Sequence, residues 1–149
     1  HQPGIQSLRD VTLDMLNEYV APRDAGIDQR ARYVIEENTR LLEGCSDLQK
    51  GDIQSLGKKM FGSHHGLSKM YHVSCKELDW LVDQARNHEA VLGARMMGGG
   101  FGGCTINLIH EDAIQPLIET LQPAYEAATG LSLTYYIATI ENGTEIVKP

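Results

Sequence analysis

What this chain has little of narrows its function early. Cysteine occurs three times, at Cys45, Cys75 and Cys104, an odd number at wide spacing. That excludes a disulfide framework and a C-x-x-C metal site, and makes a reducing cytoplasm the expected compartment. Basic residues are outnumbered, 13 against 20 acidic, for a net charge of −7. No stripe of Lys and Arg is available to neutralise phosphates, which argues against nucleic acid as a partner. Apolar runs are short, and none approaches the ~20 residues of a bilayer span, so no membrane role is expected. His1-Gln2-Pro3-Gly4 carries no signal-peptide pattern. Also missing is any clear set of acid, base and nucleophile. With 149 residues and 42% hydrophobic content, the chain suits one domain, residues 1–149, around a single core.

Against these absences stands one concentration. Gly98-Gly99-Gly100-Phe101-Gly102-Gly103-Cys104 places five glycines in six positions, with apolar runs on both sides. Glycine loses the most backbone entropy on folding, so such a run weakens any regular element. It persists where positive φ is needed or where something must approach the backbone closely. A loop of this kind can also aim several N–H groups at an anion. Gly98, Gly100 and Gly103 satisfy G-x-G-x-x-G, but a helix should follow, and Thr105-Ile106-Asn107-Leu108-Ile109 reads as a strand. The P-loop pattern fails too, because Cys104 stands where its lysine belongs. What remains is strand, glycine loop, strand. The plain alternative is a wide hairpin turn with no ligand.

Along the chain, residues 5–20 hold a short helix with Thr12 as N-cap and Val11 and Leu16 spaced as a hydrophobic staple. Asp28 is expected to cap a second helix ending at Gly44 or at Gly51-Asp52. Asp52 caps a third over 53–68, where Gly57, Gly62 and Gly66 mark close packing against another backbone. Ser74-Cys75-Lys76-Glu77 reads as a capping box opening a fourth helix to about Asn87, with Leu78, Leu81, Val82 and Ala85 inward. The period then changes, predicting strands over 91–97 and 104–110. Asp112 opens another helix, which Pro123 should kink or divide. Residues 131–140 read as a third strand, Glu141-Asn142-Gly143 as a hairpin turn and 144–148 as a fourth strand. Helices followed by β-β-α-β-β predict an α+β fold: a mainly antiparallel four-stranded sheet with helices packed on one face.

Other chemistry-bearing residues read as structural. His64 is expected to be packed and His65 solvated, with no carboxylate nearby in sequence to orient either ring. His72, His88 and His110 show no metal-ligand spacing. Cys104 reads as a small buried residue at the start of a strand rather than a nucleophile. Lys58, Lys59, Lys69, Arg86 and Arg95 could gather over a phosphate, Arg95 being nearest the loop, where an ion pair is its ordinary role. Met97 abuts the loop and can reach the same space.

The run from Gly93 through Ala94, Arg95, Met96 and Met97 to Cys104 closely resembles the third conserved motif of the galactokinases, in the GHMP kinase superfamily. Leu8-Arg9-Asp10-Val11, Arg30 to Val34 with Glu37-Asn38, Gly51-Asp52 through Ser63-His64, and Val73 to Asp79 are similar to other segments of that family in the same order. The resemblance covers nearly the whole chain and implies the C-terminal, ferredoxin-like domain of such an enzyme. It implies transfer of the ATP γ-phosphoryl group to the anomeric hydroxyl of galactose, with Mg²⁺, in a cleft between two domains. The family's galactose signature, phosphate loop and catalytic aspartate belong to an N-terminal kinase domain, and none of those motifs is present in this sequence. That domain is the implied partner, the chain alone is expected to be inactive, and no cofactor is expected to bind it tightly. Gly98, Gly99, Gly100, Phe101, Gly102 and Gly103 carry over as loop and cleft wall, with Met97 and Arg95 as neighbours and no catalytic or metal-binding residue. Two departures stand out: Met97 replaces the usual threonine, and Lys76 the usual proline. A non-catalytic binding or regulatory domain of the same fold, or a related kinase for a sugar such as N-acetylgalactosamine, remains an alternative.

Overall fold

The computed structural model describes residues 3–139. They form two compact units that divide after Ile114. The first unit begins with a 3₁₀ turn, Leu8–Asp10, followed by helices α1 (Leu13–Tyr19), α2 (Ala25–Lys50), α3 (Ile53–Lys69) and α4 (Lys76–Arg86). A hairpin of β1 (Val91–Met97) and β2 (Cys104–Ile109) completes it, with a 3₁₀ turn at Glu111–Ala113. Helix α5 (Ile114–Thr129) starts at the last residue of the first unit and otherwise belongs to the second.

Helix starts follow local capping chemistry. The Thr12 hydroxyl accepts from Met15 N–H at 3.3 Å, and Asp52 Oδ1 accepts from Ser55 N–H at 3.0 Å. Each satisfies one of the amides that a first helical turn leaves unpaired. The cap of α2 is Asp24 rather than Asp28: Asp24 Oδ1 accepts from Ile27 N–H at 2.8 Å, while Asp28 sits inside the first turn and holds Arg32 at 2.9 Å. Gly51 ends α2 in the left-handed region, φ 72°, and Gly44 lies buried inside the helix. The capping box at Ser74 is absent. Cys75 is the N-cap of α4 and makes no side-chain cap bond; the Ser74 hydroxyl instead meets Cys75 O at 3.5 Å. Helix α5 runs unbroken through Pro123, so the expected division there does not occur.

The sheet is smaller than expected. Among the described residues it has two antiparallel strands, with Met97 opposite Cys104 and Arg95 opposite Ile106, rather than four. Residues 131–135 alternate apolar and polar and 135–138 run apolar, yet 131–139 form no strand. Alternation and β-propensity record only a fit to a pleated surface; a ladder partner must take up the backbone groups. Here Leu133 O accepts from the Gln122 side chain at 3.1 Å, and Tyr136 and Ile137 are exposed. Ile140, the hairpin turn at 141–143 and the strand over 144–148 lie outside the described residues.

The core of the first unit gathers Tyr33 of α2, Leu67 of α3, Leu78 of α4 and Met96 of β1, with Val73 and Cys75 packed against them. Leu78 and Val82 are almost fully buried, each a contribution of about 1.5–3 kcal/mol from removing apolar surface from water. Helices α3 and α4 both pack on β1, and α2 packs on α3. Of the three α3 glycines, Gly57 alone meets another backbone as expected; Gly66 meets a ring and Gly62 a flexible side chain. A Cβ on Gly57 would fall 2.0 Å from Leu92 O, and one on Gly66 would fall 2.4 Å from the Tyr33 ring.

Candidate functional site

The glycine loop joins β1 to β2. Its backbone is left-handed at Gly98, Gly100, Phe101, Gly102 and Gly103, with φ of 91°, 104°, 62°, 138° and 100°. Four of those five positions are glycine because a side chain there strains the backbone. The middle of the loop rests on the connection between α3 and α4. Phe101 N–H donates to Val73 O, and a Cβ on Gly100 would fall 2.4 Å from that oxygen. Phe101 as a whole is 78% exposed, so this residue is held by its backbone and not by packing of its side chain.

The rest of the loop faces open space. A Cβ on Gly98, Gly99 or Gly102 would meet nothing within 4 Å, and one on Gly103 would meet only Met97 O at 3.8 Å. Gly99 differs from its neighbours because it does not have positive φ either. Among the described residues, neither strain nor crowding calls for glycine there. Among the described residues, the amides of Gly98, Gly99, Gly100, Gly102 and Gly103 donate to no backbone carbonyl.

Met97, half exposed, stands at the β1 end of the loop. Arg95 turns to α2: its guanidinium is 3.7 Å from Glu37 Oε1, and its Nε donates to Met96 O at 3.1 Å. Glu37 also accepts from the Ser63 hydroxyl and pairs with Arg40. Burial, reinforced by the Glu37 carboxylate, pushes the nearby Tyr33 phenol above its ordinary value.

The remaining basic residues do not gather over one point. Lys59 is 2.6 Å from Asp47, Lys69 is 3.4 Å from Asp79, and Arg86 lies 4.4 Å over the Phe61 ring. Lys58 and Arg86 line a separate open groove with His65 and Asp83. Cys104 is exposed rather than buried, because β2 carries little cover. Among the described residues no three His, Cys, Asp or Glu side chains could together hold a metal ion, and no helix is long and apolar enough to cross a membrane.

One constellation escaped the sequence. His64 is buried, and its Nδ1 accepts from Met96 N–H at 3.1 Å. In the neutral ring the proton therefore sits on Nε2, which faces Asp79 Oδ1 at 3.2 Å, out of line for a full hydrogen bond. The other Asp79 oxygen accepts from the Ser68 hydroxyl at 2.6 Å and lies 3.4 Å from Lys69 Nζ. Burial pushes the His64 imidazole below its ordinary value, against the opposing pull of Asp79. Burial alone would raise the Asp79 carboxyl, but Ser68, Ser74, Lys69 and His64 together hold it below the usual range. Periodicity places His64 on the inward face of α3, but nothing in the spacing of α4 marks Asp79 as its partner.

Residues 45–127 match the family described as GHMP kinases C terminal. A galactokinase from Thermotoga petrophila is 39% identical over 142 residues, covering 95% of this chain and 39% of that protein. One from Roseiflexus is 38% identical over 141 residues, covering 95% of this chain and 36% of that protein. The crystal structure of Lactococcus lactis galactokinase complexed with galactose superposes with a TM-score of 0.86 at 32% identity, over 93% of this chain and 36% of that one. Mevalonate kinase of L. major, at 23% identity and a TM-score of 0.58 over 84% of this chain and 37% of that one, shares the fold. The chain thus spans about two fifths of the length of the relatives it matches. The family match takes in more than half of the residues, and the chain belongs to the GHMP kinase C-terminal family.

Proposed function

We propose that this chain is the C-terminal part of a galactokinase, and that Gly98, Gly99, Gly100, Phe101, Gly102 and Gly103 border the cleft in which ATP phosphorylates the anomeric hydroxyl of galactose. One observation carries the reading: Gly99 has no positive φ and, among the described residues, no neighbour within 4 Å that would exclude a side chain. A glycine without an internal reason points to something outside the chain that comes close to the backbone. Loop amides with no carbonyl partner suit an anion, and phosphoryl transfer depends mainly on positioning and charge stabilisation.

ATP supplies the phosphoryl group. This chain contributes the amides of the loop, which bind and orient, and the Phe101 ring, which borders the site and helps exclude water. Met97 is the side chain placed to touch what the loop holds. Arg95 acts indirectly by tying β1 to Glu37. No residue of this chain is assigned to Mg²⁺, and no step is routed through the metal here. Galactose enters the proposal through the relatives, and the N-terminal kinase domain is the partner that completes the cleft. The chain alone is inactive, and the whole enzyme works in the cytoplasm.

The test is reconstitution. The chain mixed with a separately made N-terminal domain, and the uninterrupted two-domain protein as positive control, should release ADP from MgATP only when galactose is present. The chain alone should release none. ADP release by the chain alone would overturn the inactivity, and a control that prefers N-acetylgalactosamine would overturn the substrate.

A further inference from the structure

The strand that delivers the chain to the glycine loop is fastened at two successive residues. Arg95 is tied through its guanidinium to Glu37 of α2, and Met96 through its backbone N–H to Nδ1 of His64 on α3. The second tie is unusual in kind, because a ring nitrogen replaces the carbonyl that a β-strand amide ordinarily meets. That nitrogen accepts only while it carries no proton. The ring around it is 4% exposed, and its far side is set against Asp79 of α4.

We propose that His64 is a positioning residue: its unprotonated Nδ1 holds the end of β1, and with it the glycine loop, while Asp79 keeps the ring in the tautomer that allows this. The consequence for catalysis rests on the function proposed above, whereas the clamp itself does not.

Protonation of Nδ1 turns the acceptor into a donor facing another donor, the Met96 amide. The amide of a buried residue is then left unpaired, and β1 is released one residue before Met97, where the loop begins. The charged groups bearing on the ring are known from each side. Asp79 and Asp83 of α4 favour the cation, and Arg86 of α4 opposes it. Lys69 of α3 lies against Asp79, and Arg95 of β1 is engaged by Glu37. Burial outweighs the two carboxylates, so the neutral ring is the resting form near neutral pH.

The test is nitrogen and amide NMR on the whole 149-residue chain. At pH 7.5 the His64 ring should be the Nε2–H tautomer, with Met96 N–H protected from exchange. As pH falls and His64 titrates, the amides of Met96, Met97 and Gly98 to Gly103 should shift in one shared transition. His64→Asn places an amide oxygen near the position of Nδ1; it should keep Met96 protected within about tenfold and abolish the shared transition. Asp79→Asn, which removes the charge but not the shape, should lower the His64 midpoint by about one unit. An Nδ1–H tautomer at pH 7.5, loop amides that stay still while His64 titrates, or a transition that persists in His64→Asn would each overturn the clamp. No sugar or nucleotide enters these measurements. A negative result therefore leaves the kinase reading standing, and a failed kinase assay leaves the clamp standing.

Discussion

Gly57 of α3 and Gly93 of β1 meet backbone to backbone: a Cβ on Gly93 would fall 2.5 Å from Gly57 Cα, and one on Gly57 would fall 2.0 Å from Leu92 O. Contact this close is possible only where both residues lack side chains. It coincides with the register irregularity between Val91 and Gly93 in β1, so the helix and the strand fit each other at the same point.

Gly57→Ala or Gly93→Ala should therefore destabilise the chain by about 1–3 kcal/mol or more, since neither backbone can give way. Gly62→Ala is the control on the same helix. Its Cβ would approach Arg40 Nε at 3.3 Å, a flexible side chain that can move aside. Helix propensity favours alanine by up to about 1 kcal/mol, so Gly62→Ala should be neutral or stabilising. Urea unfolding of the three variants reads the contrast directly, and equal losses would contradict it.

The two kinds of loop glycine can be separated in the same way. Gly100→Ala meets both φ of 104° and Val73 O at 2.4 Å, so it should disturb the loop and lower stability. Gly99→Ala has room and ordinary φ, so stability should stay within about 0.5 kcal/mol. In the proposed two-domain kinase, however, Gly99→Ala should lower kcat/KM by at least about tenfold, near 1.4 kcal/mol. Unchanged kinetics in Gly99→Ala would remove the main support for a ligand at the loop.

Stability should also depend on pH in a stated direction. The His64 imidazole lies below its ordinary value of 6.5 in the folded chain, so the unfolded chain takes up the proton first. The His64 contribution is complete above pH 6.5 and is lost as pH falls through the lower folded value. Asp79 is likewise held below its ordinary value of 3.8, and its contribution is complete above that pH and lost below it. Urea midpoints measured from pH 8 to pH 5 should decline on the acid side, and His64→Asn should flatten that decline.

Glu37→Gln should cost about 1–3 kcal/mol, because one carboxylate serves the Ser63 hydroxyl and the Arg40 and Arg95 guanidiniums together. Thermal unfolding checks the size of the loss. The amide shift of Met96 checks whether the end of β1 has moved, and an unmoved Met96 would show that Arg95 does not hold the strand.

Much of the architecture was legible where chemistry is local. Thr12 and Asp52 cap the helices expected of them, Gly51 ends α2, and the spaced glycines of α3 announced a close neighbour. The loop between two strands followed from the β-branched run after Cys104. What was not legible depends on partners distant in sequence. Ser74 has the composition of a capping box, but α4 starts one residue later, at Lys76. Residues 131–139 have the β-branched and aromatic composition of a strand but no ladder. His64 meets Asp79 only because α3 and α4 both fold onto β1, a relation that no spacing within either helix reveals. The glycine loop itself could be located from sequence, while the difference between Gly99 and Gly100 needed coordinates.

Among the described residues β2 pairs with β1 alone, and none of its six residues is buried. An edge that pairs with no described residue offers amides and carbonyls to any extended segment that comes alongside. Stocks of the isolated chain should accordingly be kept dilute and screened by light scattering. Crystals grown from them should be inspected for ribbons that run continuously from one molecule to the next.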